Sequence, residues 1–573
     1  MSLSRLRAPL AAAAVLVLAA GVVAIARRDG GVTAPPGPGR SSPSATVSAA
    51  ATPPSGSTVA VDPALLSLYG DRPAHPGGGR GGRLVVAVPG EATTLDPFAV
   101  GGDTPAARDL APLWLPGLYR LGPDGVRTPW LAAADPVVSA DGRRVVIRLR
   151  PDARWSDGSA VTSADVAATW RRAASRPGPW RPAYSVLAGV ETPDATTAVL
   201  VLRTPSTGGA RLFVAPTGVL PAARLAALGA KPYDLRVTGG PFVAAGRTAG
   251  LETVWRRTPQ PWPGSDPLLD EVRAQVVPDF STAVELLRAG RVDAVLPYDA
   301  VNAAGRLRSV DGAEVAAERG RHSVTVLTMR TTGGPLADVR VRRALALALD
   351  RPAFAEGLVR EAGSGADGIR HGESAGAPYR RFRPDVAAAR RLLADAGWQD
   401  RGDRPRTKRG AELTLVLASP APADLYDVLA RGMQVQLRRI GVQIDLAGAD
   451  ANKAAELART GRADLALTRW DTDVVPDLAR LLGSAAAAPD GAGWPRWSDA
   501  AADSALRAAT AAPTLAQVDA ALDGVDRRLV DQVPLLPLLR LDAVVAAAAG
   551  VRIPVPVSGY GGPFVDVDRW SRG

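Results

Sequence analysis

A nine-residue pattern occurs twice in this chain, about 170 residues apart. Glu285-Leu286-Leu287-Arg288-Ala289-Gly290-Arg291-Val292-Asp293 recurs as Glu456-Leu457-Ala458-Arg459-Thr460-Gly461-Arg462-Ala463-Asp464. Each copy reads as a helix end, a glycine that closes it in the left-handed region, and an Arg-x-Asp entering an apolar strand. With 573 residues the chain is long enough for two or more sizeable cores. Two widely separated copies of one helix–strand unit imply two lobes on a similar α/β plan.

Other stretches specify local structure residue by residue. Val145-Val146-Ile147-Arg148-Leu149-Arg150 is strand-like and Pro151-Asp152 breaks it. Asp157-Gly158 turns the chain, because glycine takes φ > 0 without a Cβ clash. Thr162 then stands as an N-cap, Asp165 at N3 reaches back toward free backbone N–H groups, and Val161 and Val166 occupy the staple positions. Asp338 caps a helix whose apolar face is Val341, Leu345, Ala348 and Leu349. The run from Arg383 to Trp398 is another helix, with Gly397 at its C-terminal turn and Trp398 set against Leu393 as in a Schellman motif.

The wording of these stretches is more specific than their physics. Arg154-Trp155-Ser156-Asp157-Gly158, with Thr162 and Asp165-Val166 behind it, follows Thr94-Leu95-Asp96-Pro97, Leu118-Tyr119, Pro123-Asp124-Gly125 and Pro129-Trp130-Leu131-Ala132. In order and spacing this block resembles family 5 extracytoplasmic solute-binding proteins, the peptide/nickel-type receptors of ABC importers. Asp338-Val339-Arg340-Val341-Arg342-Arg343-Ala344, Leu393-Ala394-Asp395-Ala396-Gly397-Trp398 and the C-terminal Val533 to Leu538 and Phe564 to Trp570 continue it, so the resemblance runs from about residue 84 to the end. There are departures. Val237-Thr238-Gly239-Gly240-Pro241-Phe242 has valine and phenylalanine where the family has glycine and tyrosine, and Met329-Arg330-Thr331 replaces an Asn-Thr.

The resemblance implies an α/β, two-lobed periplasmic-binding-protein-like (type II) fold with an extra small domain and discontinuous lobes. The expected boundaries are 84–110, 205–330 and 531–573 for lobe I, 111–204 for the small domain and 331–530 for lobe II. It implies a receptor that closes by a hinge on an oligopeptide or similar polar solute and delivers it to an ABC permease, as a monomer and without a cofactor. Arg469-Trp470-Asp471-Thr472-Asp473 is similar to the segment whose aspartate holds a peptide's α-ammonium, which puts Asp473 and Trp470 at the ligand, with arginine in place of the family's glycine. Tyr119 and Trp114 are candidates for the cleft wall. One alternative is a membrane-anchored sensor or scaffold with a degenerate solute-binding fold; another is a hydrolase.

Composition narrows these. There is no cysteine, hence no disulfide, thiolate metal site, cysteine nucleophile or acylated N-terminal cysteine anchor. The net charge of +11 comes from arginines scattered among 57 acids, with Lys231, Lys408 and Lys453 the three lysines, so no basic stripe with interleaved aromatics points to nucleic acid. Gly372-Glu373-Ser374-Ala375-Gly376 matches a nucleophile elbow, but His75, His322 and His371 all precede Ser374 and the flanks are loop-like, which disfavours hydrolysis. No histidine has a ligand partner at i+4, so no metal site is expected. Arg5 and Arg7 followed by the apolar run Leu10 to Ala26 read as an export signal or signal anchor over residues 1–26. Residues 27–83, rich in Gly, Pro, Ser and Ala, read as a disordered tether.

Overall fold

In β1 (Arg83–Val88), Leu84, Val86 and Val88 face one way and Val85 and Ala87 the other, all against apolar neighbours. Such a strand has to lie inside a sheet covered on both faces. The structure is a computed structural model that describes residues 78–121, 127–205, 212–214, 217–318, 323–359, 362–370, 377–421, 424–449, 451–471, 475–487, 496–512, 515–554 and 562–573. Residues 78–82 already belong to the folded body, since Gly81 N donates to Leu268 O at 2.8 Å and Gly82 N to Asp270 Oδ2 at 2.9 Å. The expected tether therefore stops short of its boundary at 83.

After β1 the chain builds a small antiparallel sheet from β2 (Val137–Val138), β3 (Arg144–Arg148), β4 (Leu187–Asp194) and β5 (Thr197–Leu202), in the order β2-β3-β5-β4. Between β3 and β4 lies α1 (Ser163–Ser175), with Thr162 as its N-cap and Thr162 N bonded to Asp165 Oδ2 at 2.7 Å. Gly158 has φ +86°, and Val161 and Val166 are buried. The unit docks on the 237–242 segment: Ser156 N donates to Thr238 O, and Thr238 N donates to Ser156 Oγ at 3.0 Å. A Cβ on Gly239 would lie 2.6 Å from the Trp155 ring, so glycine is needed for this close approach. Side chains of the small sheet share one continuous core with the first lobe.

The chain returns through β6 (Phe242–Thr248), β7 (Glu252–Arg257), β8 (Glu271–Val276), α2 (Phe280–Arg288), β9 (Ala294–Val295) and β10 (Glu314–Glu318). It then enters a second sheet with β11 (Ser323–Met329), α3 (Val339–Ala348), β12 (Gly363–Gly365), α4 (Val386–Asp395), β13 (Thr414–Pro420), α5 (Asp424–Arg438), β14 (Gln443–Ala449), α6 (Ala451–Arg459) and β15 (Leu465–Asp471). After α7 (Val475–Leu482) and α8 (Leu515–Gln532), β16 (Leu535–Leu541) stays in the second sheet and β17 (Ala543–Ala547) rejoins the first. The sheets run β10-β17-β9-β1-β8-β7-β6 and β12-β16-β11-β15-β13-β14. β11 and β16 thus belong to the second lobe, although the expected boundaries at 330 and 531 leave them in the first. They pair with each other and with β15 and β12; the chain enters this sheet between Glu318 and Ser323 and, after β16, leaves it through the single residue Asp542.

Both capped helices form as expected. Asp338 Oδ1 accepts from Arg340 N at 2.9 Å, and Trp398 N donates to Leu393 O at 2.9 Å past Gly397 at φ +86°.

The two copies of the repeat are used in the same way. α2 and α6 are each closed by a left-handed glycine, Gly290 at φ +64° and Gly461 at φ +74°. Asp293 N donates to Val85 O while its Oδ2 accepts from Val85 N at 2.8 Å; Asp464 does the same with Val416, its Oδ2 accepting at 3.0 Å. Each aspartate spends its other oxygen on an arginine, Arg572 at 3.0 Å for Asp293 and Arg330 at 2.5 Å for Asp464. One carboxylate thereby locks a new strand to its parallel neighbour in each lobe. Removing it strands a backbone N–H, so Asp464→Ala and Asp293→Ala are each expected to cost about 1–3 kcal/mol in urea unfolding. A loss under about 0.5 kcal/mol in both would count against this role.

Candidate functional site

The directions of the strands decide where the two lobes meet. β1 runs parallel to β8 and β9, and β17 is antiparallel to β9 with Ala543 beyond the end of Val295, so the carboxyl ends of β1, β8 and β9 face the crossing at Asp542. In the second sheet Ser323 opposes Asp471, and β13 runs parallel to β15 and β14, so their carboxyl ends face the same edge. Open α/β sheets take ligands in the crevice outside such ends.

Charged and phenolic groups bridge that edge. Segment 298–307 is carried by the first lobe, where Tyr298, Ala303, Ala304 and Leu307 are core residues. From it Asp299 reaches across: Oδ2 accepts from Tyr426 Oη at 2.7 Å, and Oδ1 faces Arg469 Nη1 at 3.4 Å. Burial and the Asp299 carboxylate both hold the Tyr426 phenol well above its ordinary pKa, so it stays a donor. Arg306 lies over the Phe280 ring at 4.6 Å, bonds Ser281 Oγ at 2.6 Å, and meets Asp424 Oδ2 in the first turn of α5 at 2.7 Å. The backbone adds Asn302 N to Leu358 O at 3.2 Å.

The residues expected at the ligand are distributed differently. Trp114 (1% exposed) stacks on Tyr233 with ring centroids 5.6 Å apart, and Tyr119 (0% exposed) donates its Oη to Ala134 O at 3.0 Å. Both lie in the first-lobe core, and neither ring lines an open surface. Trp470 is 3% exposed in the second-lobe core, opposite Val324. Arg469, Trp470 and Asp471 are the last three residues of β15. Asp473 lies outside the described residues, as do His75, His322, His371 and the whole Gly372–Gly376 stretch. Among the described residues there is no group of three or more His, Cys, Asp or Glu that could hold a metal ion.

Asp299, Tyr426, Arg306 and Asp424 were not legible as site residues in the sequence. Arg469 was visible only as a departure from the family's glycine.

Comparison with known proteins agrees with the architecture. The family model described as bacterial extracellular solute-binding proteins, family 5, middle, matches residues 127–490. Protein XP55 of Streptomyces lividans is 28% identical over 372 residues, which cover 64% of this chain and 66% of XP55. The glutathione-binding protein GsiB of Escherichia coli K12 is 26% identical over 399 residues, 66% of this chain and 72% of GsiB. The matched part thus spans about two thirds of these relatives' length. Among solved structures, the oligopeptide-binding protein AppA of Bacillus subtilis, in complex with a nonapeptide, superposes with a TM-score of 0.77 at 18% identity, over 87% of this chain and 100% of AppA. AgaA of A. tumefaciens R10, in complex with agropinic acid, gives 0.73 at 25% identity, over 85% and 97%. With well over half its length inside the family match, the chain belongs to the bacterial extracellular solute-binding proteins of family 5.

Proposed function

We propose that this protein is the extracytoplasmic receptor of an ABC importer, closing its lobes on a peptide or similar polar solute and releasing it chemically unchanged. The observation that carries this is the convergence of strand ends from two sheets on one hinge edge, bridged by Asp299. Closure of this kind requires the solute to favour the closed arrangement over the open one. Named ligands of similar proteins, a nonapeptide, glutathione and agropinic acid, support a polar solute with acidic groups. Among the described residues no helix is long and apolar enough to cross a membrane. Retention at the membrane by residues 10–26, delivery to a permease and action as a monomer are parts of the same proposal.

Asp473, from its match to the family's ammonium-holding aspartate, is proposed as the anchor for a solute amine. The test is to purify the protein from its native host, identify co-purified small molecules by mass spectrometry, and follow closure by small-angle scattering when they are added back. A polar molecule that compacts the protein supports the receptor. Slow hydrolysis of that molecule, or no bound molecule together with no response to a peptide panel, overturns it. Asp473→Asn is expected to weaken an amine-bearing solute at least tenfold and leave its N-acetylated form unaffected.

A further inference from the structure

α5 buries Leu425, Leu429, Met433 and Leu437 against the second sheet. On its outer side Val428, Arg431, Val435, Arg438 and the following Arg439 are all exposed. At 3.6 residues per turn they share about 100° of arc. Val428 is 41% exposed and Val435 60%. Leu446 adjoins them: it lies on β14, the outer strand of the sheet, opposite Leu417 on the face that α5 covers, and is 37% exposed. Three of the six large exposed hydrophobics among the described residues thus belong to one helix–strand unit.

The same face is basic. Arg390 of α4 donates to Arg439 O at 2.6 and 3.0 Å, which adds a fourth exposed arginine at the end of α5. Among the described residues no carboxylate pairs with Arg390, Arg431, Arg438 or Arg439. Residues 377–441 hold 13 basic and 7 acidic residues, so more than half of the net charge of +11 gathers in this part of the second lobe. Arg438 and Arg439 complement the negative end of the helix dipole, but Arg431 in mid-helix does not. Valine is also a poor residue for an exposed helical position, since it loses χ1 freedom there and gains no burial. Val428 and Val435 therefore have no local reason to be where they are.

We propose that this face docks the protein on an anionic lipid bilayer, the arginines bonding headgroup phosphates while the two valines and Leu446 enter the headgroup boundary. Nucleic acid fits less well, because the arc offers no aromatic ring for a base to stack on. The proposal rests on the retention at the membrane proposed above for residues 10–26. Only 51 residues separate Ala26 from Gly78, and a Gly/Ser-rich chain of that length has a root-mean-square span of about 40 Å. A face held that near a bilayer engages it with little affinity of its own.

The test uses protein without residues 1–26, which lie outside the compact unit that starts at Gly56 and holds both lobes. Flotation is measured with vesicles of equal phosphatidylglycerol and phosphatidylcholine and with vesicles of phosphatidylcholine alone. Wild type should bind the anionic vesicles about tenfold more strongly, and high salt should remove most of the difference. Arg431→Gln/Arg438→Gln should weaken that binding about tenfold, and Val428→Ala/Val435→Ala severalfold, both with melting temperatures at or near wild type. Arg148→Gln/Arg171→Gln removes the same charge from exposed positions of β3 and α1 and should change binding less than twofold. Equal binding to both vesicles, or an equal loss in the Arg148/Arg171 control, overturns the proposal. So does a concentration-dependent dimer in light scattering that Val428→Ala/Val435→Ala abolishes while vesicles stay unbound, which would assign the face to a second copy. Failure of the retention reading is separate: the full-length chain would then leave the membrane fraction of its native host while the truncated protein still binds anionic vesicles.

Discussion

Asp96→Ala should cost about 3–5 kcal/mol of unfolding free energy, the largest single effect expected in this chain away from the crevice. Asp96 is fully buried. Its Oδ1 accepts from Phe98 N at 3.1 Å, and its Oδ2 accepts from Tyr233 N at 3.0 Å and from Arg172 Nη2. Arg172, itself buried, also donates to Lys231 O at 2.9 Å. One carboxylate therefore joins the loop after β1, the last turn of α1 and the 229–233 segment. Truncating it leaves a guanidinium and two N–H groups enclosed without their anion. Arg172→Met should cost less, because the aspartate keeps its two backbone donors. The double variant Asp96→Ala/Arg172→Met should be less destabilised than the sum of the single variants, since the stranded charge disappears with its partner. Urea unfolding followed by circular dichroism gives all three values. Strict additivity would mean that the two side chains act independently and that the ion pair does not organise this corner.

How far the sequence could be read depended on the reach of each interaction. The α1 cap, the Schellman turn at Gly397 and the Asp338 cap span three to five residues, so their residue types alone specify them. The repeat showed two helix–strand units but not why each ends in aspartate, because Asp293 meets Val85 across 208 positions. The lobe boundary was misplaced at β16 because the chain leaves that sheet through one residue, Asp542, and no linker composition marks it; β11 begins after a separate crossing between Glu318 and Ser323. Arg469 carried no sign of a partner in the sequence, because a polar residue at a strand end looks like a solvent-facing one. Here the other lobe supplies the partner, Asp299, 170 positions away. Trp114 and Tyr119 were legible as aromatics near a signature motif, but aromatic rings serve a core as readily as a cleft wall, and periodicity cannot distinguish the two.

Asp299→Ala is expected to weaken solute binding about tenfold, and to do so by opening the protein rather than by removing a contact with the solute. Asp299 is the acceptor for two groups of the opposite lobe, Tyr426 and Arg469, and the side chains of Asp299 and Arg469 are 19% and 17% exposed, so solvent screens the pair only in part. A bridge of this kind contributes roughly 1–2 kcal/mol to the joined arrangement, and 1.4 kcal/mol is about a factor of ten in the apparent constant. Tyr426→Phe should show about half the effect, because it removes one hydrogen bond and leaves the ion pair. Asp424→Asn should show little, since Arg306 and Asp424 are about a third exposed and such pairs contribute about 0–1 kcal/mol. The discriminating readout is shape. Small-angle scattering should report a larger radius of gyration for ligand-free Asp299→Ala than for wild type, with the difference vanishing at saturating solute, while urea unfolding changes little. If the variant instead unfolds more easily at an unchanged radius and unchanged affinity, Asp299 is part of a fixed seam and the moving edge of the crevice lies elsewhere.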